Sequence, residues 1–72
     1  MMYRLDISEY IDPMDRPAYP LKDETLWDSF DDAILYAEAY TGSSFAEWER
    51  VGKFDWGAQF FFVSVRHVPI EM

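Results

Sequence analysis

Seventy-two residues make one small domain, residues 1–72, near the size at which a single hydrophobic core is only marginally sufficient. Cysteine is absent, which excludes a disulfide framework and a thiolate metal site, so three Trp, five Tyr and six Phe must supply the packing. Fourteen Asp and Glu stand against six Lys and Arg; the resulting net charge of −8 repels phosphate backbones, argues against direct nucleic-acid binding, and favours a basic protein partner.

The opening MMYRLDISEY carries charge by residue 6 and has no apolar core of signal-peptide length. No apolar run approaches the roughly 18 residues of a membrane span. A soluble protein of a reducing cytoplasm, with no membrane partner, is the expectation. Within this opening the chain alternates, with Tyr3, Leu5, Ile7 and Ile11 on one face and Arg4, Asp6 and Ser8 on the other. That is the pattern of a half-buried strand.

The stretch DPMDRPAYPLKDE follows, with three prolines in eight residues. Proline fixes φ and lacks a donor, so an extended loop is expected here. It still carries Met14, Tyr19 and Leu21, more apolar surface than a solvated linker needs.

The next stretch, TLWDSFDDAILYAEAYTG, has a helix signature over residues 29–41. Ser29 is suited to the N-cap, with Asp32 three positions on and Asp31 beside it, where the helix dipole favours negative charge. Phe30, Ala33, Ile34 and Ala37 form an amphipathic stripe, and Gly42 is a natural stop.

Residues 44–51, SFAEWERV, read as a second strand, GKFDWG as a turn, and AQFFFVSVRHV, residues 58–68, as a third strand. The last is apolar on both faces, with Phe61, Val63 and Val65 on one and Phe60, Phe62 and Val68 on the other. The expected fold is therefore α+β, in the order β-α-β-β. It has a three-stranded, mainly antiparallel sheet with the last strand central and the helix on one face. The second face falls to Met14, Tyr19 and Leu21, or to a second chain.

Catalytic chemistry has little to stand on. His67 is the only histidine, so nucleophilic triads and histidine zinc sites are excluded, and a lone His at a strand end is ordinarily structural. Asp12 and Asp15 flank Pro13 as turn formers, and neither an EF-hand spacing nor a phosphate-cradling glycine loop is present. No catalytic, cofactor or metal residue is assigned, and the chain is not expected to be an enzyme.

A binding surface is better supported. Asp23, Glu24, Asp28, Asp31 and Asp32 fall within ten residues, with Trp27 among them. Acids around aromatic rings suit a basic groove, charge steering the encounter and rings anchoring it. Glu47, Trp48 and Glu49 repeat the combination more weakly, since charges on an edge strand also protect against aggregation.

The run WDSFDDAILYAEAYTG, followed by a hairpin, resembles an arrangement in small phage-encoded inhibitors, namely inhibitors of bacterial RNA polymerase and anti-CRISPR proteins. The shared pattern D-x-A-x-x-x-A-E is met by Asp31 or Asp32, Ala33, Ala37 and Glu38. The resemblance covers under a third of the chain. It implies a non-catalytic inhibitor in the host cell that occupies a nucleic-acid-binding surface of a host protein. The alternative is a homo-oligomeric accessory module, a homodimer through the second sheet face.

Overall fold

A computed structural model of the chain describes residues 2–10 and 20–69. Five strands and one α-helix run in the order β1 (Met2–Glu9), β2 (Leu21–Trp27), α1 (Phe30–Thr41), β3 (Glu49–Arg50), β4 (Asp55–Ala58) and β5 (Phe61–Val68), with a 3₁₀ turn at Phe45–Glu47. The fold is α+β. Its sheet has five strands rather than three, in the order β2-β1-β5-β4-β3, every neighbouring pair antiparallel.

Local chemistry sets the helix. Ser29 has extended backbone and accepts a bond at 3.4 Å from the Asp32 N–H. At the other end Gly42 turns left-handed, φ 70°, and donates to Glu38 O at 2.9 Å. These are the cap and the stop that the sequence expects.

The core lies between α1 and one sheet face. Leu5 and Ile7 of β1, Val63 and Val65 of β5 and Ala58 of β4 meet Ala33, Ile34 and Ala37 of the helix, with Trp48 closing one side. Leu5, Ile7 and Val63 are fully buried, and each such side chain contributes about 1.5–3 kcal/mol. The alanines let the helix axis approach the sheet, while Tyr3, Trp27, Phe30, Tyr36, Trp56 and Phe61 pack around the rim.

Three strand expectations need correction. Leu21–Trp27 is not the end of a loop but the edge strand β2, its register running from Tyr3↔Trp27 to Ser8↔Leu21. Residues 44–51 make a 3₁₀ turn and only two strand residues, because the chain folds inward to bury Trp48. The supposed turn 52–57 contains the start of β4, and the last strand begins at Phe61, not at residue 58. Ala58 pairs with Phe61 across a two-residue turn in which Gln59 has φ 57°.

The second sheet face is consequently more polar than expected. Phe60 belongs to the turn and is 69 % exposed, leaving Phe62 beside Ser64 and Arg66 on β5. On this face Arg4 pairs with Asp6 at 3.1 Å and Arg66 with Asp55 at 3.8 Å. Met14 and Tyr19 lie outside the described residues, and Leu21 is exposed on β2.

Candidate functional site

Charge is strongly segregated along the chain. Between Asp23 and Glu49 there are eight acidic residues and no Lys or Arg, so the remainder balances and this segment carries the whole net charge of −8. In the fold it forms β2, α1, the 3₁₀ turn and the start of β3: the two opposite edges of the sheet and the helix layered on one of its faces. The cations Arg4, Lys22 and Arg66 neutralise Asp6, Glu9 and Asp55 instead. Among the described residues, Glu24, Asp28, Asp31, Asp32, Glu47 and Glu49 have no ion-pair partner.

The expected contact residues do not form one surface. Asp28, Asp31 and Asp32 are exposed around the helix N-terminus, whereas Glu24 is exposed on the face of β2 turned away from the helix. Asp23 and Trp27 face the helix: Asp23 accepts the Tyr36 hydroxyl, and the Trp27 ring lies 5.2 Å from that of Tyr36 while its Nε1 donates to Thr25 Oγ1 at 2.7 Å. Glu47 and Glu49 are exposed at the opposite edge of the sheet. Trp48 between them is only 8 % exposed and donates from Nε1 to Ser43 O at 3.1 Å, so its ring belongs to the core and offers no surface anchor.

One residue of this surface escaped the sequence reading. Leu35 is 63 % exposed on the outer face of α1. It stands one helical turn from Asp31 and Asp32 on one side and from Glu38 on the other, the spacing at which helix side chains are neighbours. Its signal was available: it is the large apolar helix residue that falls outside the Phe30–Ala33–Ile34–Ala37 stripe. An apolar side chain beside the unpaired carboxylates of Asp31 and Asp32 can seat in a basic surface, with charge steering the approach.

His67 is exposed near the end of β5, its ring 4.5 Å from that of Tyr3. Among the described residues no three His, Asp or Glu side chains converge to hold a metal ion, and no helix is long and apolar enough to cross a membrane. The chain matches no family model, no curated protein and no solved structure.

Proposed function

We propose that this chain is a non-catalytic, acidic binding protein of the phage-inhibitor type, acting in a host cell by covering a basic, nucleic-acid-binding surface of a host protein. The observation that carries the reading is the confinement of the entire net charge to the continuous segment Asp23–Glu49, which has eight carboxylates and no Lys or Arg. A protein needing negative charge only for solubility gains nothing by segregating it. The carboxylates at the start of α1 stand in for phosphates, and Leu35 supplies the apolar contact that phosphates lack.

The reading is tested by competition: the protein is titrated into a preformed complex of nucleic acid with a CRISPR effector or bacterial RNA polymerase. Displacement that weakens steeply with added salt, and that the double change Asp31→Lys with Asp32→Lys abolishes, is the expected result. Displacement indifferent to that charge reversal would overturn it.

A further inference from the structure

The second sheet face, opposite the one that α1 covers, carries its charges in rows of one sign. Arg4 of β1 stands directly across from Arg66 of β5, and exposed Leu26 of β2 continues that row to the sheet edge. Two residues along the strands, the next row runs Glu24, Asp6, Ser64 and Asp55 across β2, β1, β5 and β4. Like charges directly opposite one another destabilise an antiparallel pair, and this face has two such pairs, Arg4 with Arg66 and Asp6 with Glu24.

Pairing within the chain leaves these rows incompletely satisfied. Among the described residues Arg4 donates only from Nε, to Asp6 Oδ2. Arg66 Nη2 stays 3.8 Å from Asp55 Oδ1, beyond hydrogen-bond reach. Glu24 has no ion-pair partner among the described residues, and Asp6 Oδ1 is shielded from solvent without a hydrogen-bond donor. A buried oxygen left without a donor is costly. Asp6, Ser64 and Asp55 together line a groove of about 480 Å³.

We infer that two copies of this chain pack these faces together, about a two-fold axis that runs across the strands between the two rows. That axis reverses strand direction but keeps β1 over β1 and β5 over β5, so the cation row of each copy lies on the acidic row of the other. Arg66 of one copy enters the groove over Ser64 of the second, between its Asp6 and Asp55, and Arg4 lies over Asp6. The rows are about 7 Å apart along the strands and stacked sheets about 10 Å apart, distances that an arginine side chain spans. A two-fold axis along the strands would instead set arginine on arginine, so the charge rows select the first arrangement. The interface is isologous, each contact occurring twice. It leaves α1, with Asp31, Asp32 and Leu35, facing outward on both copies, which keeps the acidic helices apart. The inference does not rest on the basic-partner reading.

The test is sedimentation equilibrium of the full chain with two charge-swap variants. Arg4→Glu with Arg66→Glu makes the cation row acidic, and Asp6→Lys with Asp55→Lys makes the acidic row basic. The wild type should dimerise, each variant alone should associate at least tenfold more weakly, and an equimolar mixture of the two should recover the dimer. A monomeric wild type leaves the face to a foreign chain and overturns the inference. Dimerisation of either variant at wild-type strength places the interface elsewhere and overturns it too, as does a mixture of folded variants that stays monomeric. Should a variant lose its circular-dichroism spectrum, Arg66→Ala takes its place, since that side chain is 53 % exposed. It must weaken dimerisation, and unchanged association would sink the interface.

Discussion

The Tyr36 hydroxyl donates a hydrogen bond to Oδ2 of Asp23, joining the second turn of α1 to the edge strand β2. That bond, then burial and the charge of Asp23, hold the phenol above its ordinary pKa of 10.0. A group whose folded pKa is raised contributes stability fully below its unfolded value and loses it as pH rises through the folded one. Tyr36→Phe should therefore destabilise the protein at neutral pH, and its deficit should shrink above about pH 10. Urea melts of both proteins across pH 7–11 check this; a deficit constant with pH would refute it.

Two positions with left-handed backbone should respond to substitution in opposite directions. Gln59, φ 57°, carries a side chain where one is disfavoured, and Gly42, φ 70°, lacks one where a Cβ would meet no atom within 4 Å. Gln59→Gly should stabilise by about 0.5–1 kcal/mol, the relief of strain less the flexibility glycine adds to the unfolded chain. Gly42→Ala should destabilise by about 1 kcal/mol from strain alone. Shifts of urea midpoint at unchanged slope are the readout.

Trp48 is expected to be the costliest tryptophan to remove. Truncating a buried aromatic costs about 3–5 kcal/mol, a large share of the roughly 4–11 kcal/mol available to a domain of this size. Trp48→Ala should lose most of its cooperative melt. Trp48→Phe should fold but melt earlier, having given up the bond to Ser43 O. Trp27→Ala, at the half-buried rim, should be milder than Trp48→Ala; the reverse ranking in circular-dichroism melts would contradict this placement of the core.

Crowding eight carboxylates onto one segment without a cation sets up repulsion within the free protein. Salt screens it, the Debye length falling from about 30 Å at 0.01 M to about 10 Å at 0.1 M. The melting temperature of the free protein should rise over that range while its affinity for a basic partner falls. A melting temperature that drops with salt would mean that the ion pairs of Arg4, Lys22 and Arg66 outweigh the repulsion.

The helix was legible in the sequence because its signals are local: a capping serine, acids in the first turn, a 3.6-residue stripe and a terminal glycine. β2 was hidden because its pattern runs against the rule. Asp23 and Thr25 point toward the helix while Leu21 and Leu26 are exposed, so no apolar alternation marks the strand. The β4–β5 turn was hidden for a different reason: a left-handed residue usually announces itself as Gly, Asn or Asp, and here it is Gln59. The acidic cluster of the candidate surface was visible in one dimension. Burial of Trp48 depends on contacts between distant segments, which no local pattern encodes.

The central place of β5 governs how the molecule comes into being. A ribosome delivers β1 first and β5 last among the described strands, yet each needs the other, from Met2↔Val68 to Glu9↔Phe61. Until Phe61–Val68 has left the exit tunnel, β1 has only β2 and the helix α1 beside it, and β4 only β3, a two-stranded pair that is marginal in water. The sheet is therefore completed only when its last described strand arrives, and the contacts that close it, Met2↔Val68 among them, span most of the described chain.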